Sequence, residues 1–542
     1  MTTWSVPDVR RLVLAFVFAL ILFSYGLGAG TLWDQDEPKY AQVAREILQT
    51  GDPFTLHVNG QPWFVHPPLF MWLQAVTGRL FGFTEFTARV WSAVSGAVAI
   101  AATFLLARLF YDAATALAAA AILATMLQFF AQSRLAVFDP TLVAFMLLSL
   151  YMYLVAYTTG SRRAHLWAWV WAGLGTATKG PIGLLLPAMV VVALWIVRRD
   201  WRRWREIPLL GPALYAITGL WWYAIETVRH GELFLRTAVG YYLFNRFFGV
   251  VEAQSGPWWF YGPVILAGAF PWTAFLPPAV AYLLRRRGEL GSQVILLWSG
   301  MTVAFYSLAG TKLPNYVLPA YPLLAIGIAH LWVDLLAGES RDAPVLVRWG
   351  VGLQLVVLAL FVAGIFGYVR SVHPVETAAL RPVFVVIALV FTAGPLVALG
   401  AYLARRPAVA FAALLGTVVA VAPVLVHYAL PAIEAYRPVP RIARSLRGMM
   451  RPGDALAAVR MNLSASLIYY AERPVIWIES REEFAEALCR HDRLFLVVPE
   501  QQYDAWVAAA LPDRVRQQGE EGGYRILLKD GPTPCVGARP AP

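Results

Sequence analysis

Near the start of the chain, LWDQDEPKYAQVAREILQTGD places three carboxylates, Asp34, Asp36 and Glu37, directly behind an apolar run. Carboxylates at this spacing have three uses. A D-x-D pair can hold a divalent metal against a diphosphate, and a single carboxylate can take the proton from an attacking hydroxyl. Either acid can also simply start a helix, as an N-cap or as negative charge at the positive helix end. A further acid, Asp139 in SRLAVFDPTLV, stands before Pro140 at another helix start, with Arg134 about one turn earlier. Cations sit beside aromatics or prolines at His66 in WFVHPPLF, Lys179 in TATKGPIG, Arg246 in YYLFNRFFG, and Lys312 with Tyr316 in TKLPNYVLP. Each alone reads as an anchor at lipid headgroups. Gathered on one face of one membrane, they suit gripping a phosphate while an acid removes a proton from a nucleophile.

What must position these residues is set by composition. Of 542 residues, 59% are hydrophobic and only 14% charged, with mean hydropathy +0.58. That is too little charge to cover a soluble surface of this size. Runs of about 20 apolar residues recur, as membrane-spanning helices require. Thirteen spans are expected, near residues 11–30, 89–108, 113–131, 141–158, 164–178, 181–198, 207–226, 258–284, 291–309, 314–337, 346–367, 381–402 and 408–430. The first is too long for a signal-peptide core and is read as retained. Net charge is +11, spread over many short arginine clusters, such as Arg198 to Arg205, that fall on alternate loops. This pattern marks the cytoplasmic side and does not point to a nucleic-acid partner. It puts the N-terminus in the cytoplasm, and the odd span count puts the acidic first loop (31–88) and the C-terminus outside. On that side no nucleotide-sugar pool is expected, so the D-x-D metal reading is set aside.

Within the first loop, Pro38 suits a first helical turn, and Tyr40, Val43, Ile47 and Leu48 recur at helical spacing. That segment and PPLFMWLQAVTGRLFG are expected as short helices in the outer interface. From residue 432, strand-like runs (DALAAVRM, PVIWIE, RLFLVVP, YRILLK) alternate with helical ones, which predicts a small extracytoplasmic α/β domain over 432–530. Residues 531–542 read as a disordered tail. The two cysteines, Cys489 and Cys535, lack metal-ligand spacing, and whether they pair is left open.

In order, WDQDEPKYAQVAREIL, WFVHPPLFMWL, FDP, TKG, SGPWWFYGPVILAGAFPW and AGTKLPNYVLPAYPLLA resemble the aminoarabinose transferase and protein mannosyltransferase superfamily. These are polyprenyl-phosphate-dependent glycosyltransferases of the GT-C fold, and the likeness covers roughly residues 30–330. It implies an all-α polytopic domain over 1–431 with a donor sugar on undecaprenyl phosphate in a bacterial inner membrane. The acceptor would be a lipid or envelope glycan, aminoarabinose transfer to lipid A being one such pair. By the resemblance, Asp36 matches the catalytic Asp, Glu37 its partner, and Asp139 an assisting Asp. Arg246 and Tyr316 match positions near the carrier phosphate, and Lys179 and Lys312 fall in matching motifs. Relatives often read F-E-K-P where this chain has Phe64-Val65-His66-Pro67, and a His can occur where Ser255 stands. Those departures weaken any inherited metal site, and no metal or other cofactor is predicted.

The residues then suggest an inverting transfer. Asp36 acts as base with Asp139 and Glu37 beside it, and the donor phosphate is held among Arg246, Lys179, Lys312, Tyr316, His66 and Arg134. Two alternatives stay open: a protein O-mannosyltransferase, and a transporter for a lipid-linked glycan.

Overall fold

In the computed structural model of the chain, residues 6–34, 36–372, 374–461, 463–508 and 515–532 are described. The tail expected over 531–542 therefore lies largely outside the described residues, as does Cys535; no described cysteine is free.

Every stretch expected to span is largely helical, although the first helix stops at Ser24 and the stretch 258–284 is split between Tyr261–Gly268 and Thr273–Arg285. The first part of the chain runs α1 (Val6–Ser24), α2 (Asp36–Thr50), a hairpin of β1 (His57–Val58) and β2 (Gln61–Pro62), α3 (Leu69–Phe81), α4 (Glu85–Phe110), α5 (Ala113–Ala124), α6 (Leu127–Gln132), α7 (Asp139–Thr159), α8 (Arg162–Lys179) and α9 (Ile182–Arg198). Longer helices follow, among them Leu290–Leu308, Ala320–Ala337, Ala343–Val372 and Pro374–Leu403. Among the described residues, six helices are long and apolar enough to cross a membrane, and Tyr261–Gly268 with Thr273–Arg285, bent by 117°, would make a seventh. The chain is thus a multi-pass, mostly helical membrane protein. Its shorter helices, such as α9 and the π-bulged stretch Leu210–Phe234, complete the bundle by packing against longer neighbours.

Close helix contact comes from small residues. Gly173 and Gly175 of α8 face Gly219 and Gly183, and a Cβ built on Gly183 would lie 2.4 Å from backbone atoms of α8. With lipid on the outside as apolar as the core, such close packing is what holds membrane helices together. The main core draws on α1, α4, α5, α7 and Ala320–Ala337, with Trp272, Trp298 and Trp332 fully buried.

The C-terminal part is a five-stranded sheet in the order β4-β3-β5-β7-β6, formed by β3 (Ala455–Val459), β4 (Ile476–Ile478), β5 (Arg493–Pro499), β6 (Val515–Glu521) and β7 (Tyr524–Asp530). β3 pairs in parallel with β4 and β5, while β7 is antiparallel to β5 and β6. The edge strand β6 escapes a reading by pattern because VRQQGEE is polar and largely exposed; an edge strand is held by backbone pairing and needs no apolar face.

This domain clasps the first loop. Asp34 accepts from Ser464 Oγ at 2.7 Å and from the Ser466 amide at 2.9 Å. Asn59 exchanges two 2.8 Å bonds with the Val475 backbone, and Arg45 of α2 reaches the Tyr469 carbonyl at 2.7 Å. As a result α2 is enclosed, with even Gln42, Arg45 and Glu46 buried, whereas the sequence suggested a helix lying in the interface. α3 does present an apolar face outward, through Val76, Leu80 and Phe81.

Candidate active site

At the end of the bundle beneath this clasp, a chamber of about 730 Å³ is lined by Asp36, Lys39, Tyr40, Trp63, His66, Lys179, Arg246, Asn315 and Tyr316, among others. It runs into an apolar groove of about 1200 Å³ walled by Leu185, Tyr223, Phe247, Phe305 and Tyr306. Val65, His66, Lys179, Tyr242, Arg246 and Tyr316 line both, so the polar and apolar spaces meet at a collar of cations and hydroxyls.

Helix ends build the chamber. Asp36 opens α2, Asp139 opens α7 with Pro140 in the first turn, and Lys179 closes α8. Lys179 Nζ donates to Asp139 Oδ1 at 2.5 Å, and Asn315 Nδ2 donates to Asp139 Oδ2 at 3.0 Å. Asp139 therefore fixes the lysine and does not itself line the chamber. Lys179 Nζ also stands 5.0 Å from the Phe138 ring centre and 5.1 Å from that of Tyr316, a cation–π setting that confines the ammonium further. Arg246 donates from Nε to Tyr316 Oη at 2.7 Å and from Nη2 to Gln254 Oε1 at 3.0 Å.

The electrostatics separate two roles. Burial raises the Asp36 carboxyl above the usual aspartate range; Lys39 and Lys179 pull it back, and the Asp139 charge pushes it up. Burial, with the Asp36 charge next, also raises the Tyr40 phenol, so Tyr40 stays protonated and donates to Asp36. A carboxylate of raised basicity, open to a chamber and held by one phenol, is equipped to take a proton. His66 is driven the other way: burial, then the charges of Lys179, Arg246 and Lys39, lower it well below the ordinary imidazole value. It is neutral at pH 7, so it offers a hydrogen bond and no charge.

Several residues singled out in the sequence lie elsewhere. Glu37, one step round the helix from Asp36, forms a buried ion pair with Arg89 at 2.8 Å and accepts from the Trp33 and Ala136 amides at 2.7 and 2.5 Å. It locks α2 onto α4. Arg134 donates to the Leu22 and Phe23 carbonyls at 3.2 and 3.0 Å, closing the end of α1. Lys312 turns its ammonium to the Ser307 carbonyl at 3.1 Å and to that of Ala309. Each has its donors or acceptors consumed by backbone or by a buried partner. Lys39, Trp63, Tyr242, Gln254 and Asn315 are chamber residues that were not singled out; all but Gln254 sit inside the quoted motifs. Among the described residues, no group of three or more His, Cys, Asp or Glu is placed to hold a metal ion.

Comparison with known proteins adds three findings. A family model described as dolichyl-phosphate-mannose-protein mannosyltransferase matches residues 65–223. The undecaprenyl phosphate-α-4-amino-4-deoxy-L-arabinose arabinosyl transferase of Pseudomonas paraeruginosa is 32% identical over 69% of this chain and 66% of its own length. The protein of the same name from Erwinia tasmaniensis is 30% identical over 67% of both chains. The matched stretch thus spans about two thirds of these curated relatives. In three dimensions the chain resembles the crystal structure of ArnT from Cupriavidus metallidurans bound to undecaprenyl phosphate, with a TM-score of 0.81 at 22% identity, covering 96% of this chain and 99% of that one. At that identity the likeness speaks for the fold.

Proposed function

Since the chain belongs to the family of undecaprenyl phosphate-aminoarabinose arabinosyl transferases, we propose that it moves a sugar from undecaprenyl phosphate to a lipid or envelope glycan acceptor at the periplasmic face of a bacterial inner membrane. The observation that carries this reading is the polar chamber opening into the apolar groove through a collar of Lys179, Arg246, His66 and Tyr316. A sugar–phosphate head with a long prenyl tail has this division of chemistry. The arginine clusters on the opposite loops support placing the chamber outside.

The tail occupies the groove, the phosphate sits at the collar, and the sugar extends toward Asp36. An acceptor oxygen attacks C1 of the sugar as the bond from C1 to the carrier phosphate oxygen breaks. The phosphate leaves with the electron pair, and Lys179 and Arg246 stabilise the growing charge. Preorganised donors of this kind lower the barrier by roughly 3–4 kcal/mol each. Where the acceptor is a hydroxyl, Asp36 takes its proton; where it is an anionic phosphate, Asp36 and Lys39 position it. Direct attack inverts C1. Asp139 acts through Lys179, and Glu37 through the fixed position of α2.

Purified protein given a radiolabelled undecaprenyl-phosphate sugar and outer-membrane lipid should form a new glycolipid, and Asp36→Asn should not. Appearance of the donor on the other side of a vesicle without any new glycosidic bond would instead make the chain a transporter.

A further inference from the structure

The other end of the bundle also joins a polar chamber to an apolar cleft. The cleft, about 670 Å³, lies between α7, α8 and α9, along Leu150, Trp169, Leu184 and Val191. The chamber above it, about 1010 Å³, is rimmed by Arg162, Arg203, Arg205 and Glu206. Tyr153, His165 and Ile207 line both. α7 and α8 each run from the catalytic chamber to this one, since Asp139 and Lys179 mark one end and Tyr157 and Arg162 the other.

We propose that this is a binding site for one anionic glycerophospholipid of the arginine-rich leaflet, with its phosphodiester on Arg162, Arg203 and Arg205 and one acyl chain in the cleft. Among the lining residues three arginines meet one acid, Glu206, which is paired with Arg203 at 2.8 Å, while Asp200 beside the chamber accepts from Tyr157 Oη. Arg203 is fixed over the Tyr157 ring at 4.5 Å, while Arg162 and Arg205 form no ion pair among the described residues. The 3-10 turn Trp201–Glu206 that carries two of these arginines has no buried residue, and its Trp201 and Trp204 are exposed, as residues at a headgroup level are. Basic pockets between spanning helices suit anionic headgroups.

Length selects the occupant. The wall of α9 from Leu184 to Trp195 rises about 16 Å, close to half the ~30 Å hydrocarbon thickness. That fits a chain from one leaflet and falls far short of a fully extended undecaprenyl tail. An empty apolar cleft would forfeit packing contacts that a hydrocarbon chain restores.

Native mass spectrometry of the delipidated full chain tests this with three probes: phosphatidylglycerol, phosphatidylcholine and undecaprenyl phosphate. One phosphatidylglycerol should stay bound in preference to phosphatidylcholine. Arg162→Gln with Arg205→Gln should weaken that lipid roughly thirtyfold, from about one elementary headgroup attraction per arginine. Ala188→Trp, which fills the cleft, should weaken it with the arginines intact, and both variants should still bind undecaprenyl phosphate at the catalytic chamber, showing that they are folded. Equal retention of phosphatidylcholine, unchanged phosphatidylglycerol binding in both variants, or its displacement by undecaprenyl phosphate would each overturn the assignment.

Discussion

The two ends of the bundle both gather cations over an apolar space, and they hold them differently. At the end proposed as catalytic, Lys179 is pinned between Asp139 and two aromatic rings, and Arg246 between Tyr316 and Gln254. At the arginine-rich end, Arg162 at the start of α8 and Arg205 in the exposed turn Trp201–Glu206 form no ion pairs among the described residues. The difference is preorganisation. A charge fixed before the substrate arrives needs no reorganisation as the leaving phosphate becomes more negative, whereas a loose, solvated charge attracts a headgroup but stabilises no particular transition state.

That contrast can be broken at several points. Replacing the proposed base has the largest expected effect: Asp36→Asn should lower kcat by about 10²–10⁴-fold for a hydroxyl acceptor, while binding of undecaprenyl phosphate, read by native mass spectrometry, stays near wild type. Arg246→Gln comes next, at about 10²-fold or more in kcat. If it changed only KM, the arginine would serve binding alone, and the claimed difference between the two ends would shrink.

Stability provides a third measure. Arg89→Met leaves Glu37 charged and without its counter-charge in the core, and thermal unfolding in detergent should show a loss of about 3–5 kcal/mol; Arg162→Gln, at the exposed start of α8, should cost under about 0.5 kcal/mol.

A pH profile sharpens the role of Asp36. Its folded pKa lies above the unfolded value of 3.8, so transfer that needs the carboxylate is full above the raised pKa and fades as pH falls through it. The acid limb of kcat/KM should therefore lie above pH 3.8 and vanish in Asp36→Asn. The linkage to folding has the opposite sign. The folded chain binds this proton more tightly, so the contribution of Asp36 to stability declines as pH rises from 3.8 through the raised value. The smallest effect is expected for Arg162→Gln with Arg205→Gln, which should leave the chemical step within about twofold in a single-turnover assay if the fixed cations alone serve it.

Much of this molecule is legible in its sequence. Apolar runs place the helices, because a segment crossing lipid must satisfy its backbone internally and cover itself with hydrocarbon. The polar edge strand β6 is not, since nothing in its side chains demands a sheet. In the site, Asp36, Lys179, Arg246, Tyr316 and His66 are visible as acids, cations and hydroxyls beside turns and helix ends. Glu37, Arg134 and Lys312 look equivalent to them by type and position, and the fold turns them to buried partners.

The sequence alone therefore determined a membrane bundle with a small α/β domain and the loops on which acids and cations stand. Tertiary structure decided which of those charges are available. Successive helix residues point about 100° apart, so Asp36 and its neighbour Glu37 address different surroundings: a chamber for one, Arg89 of α4 for the other. The chamber itself is assembled from segments as distant as Asp36 and Tyr316, and no local pattern specifies a contact at that separation. It arises only when the helices pack and their ends meet.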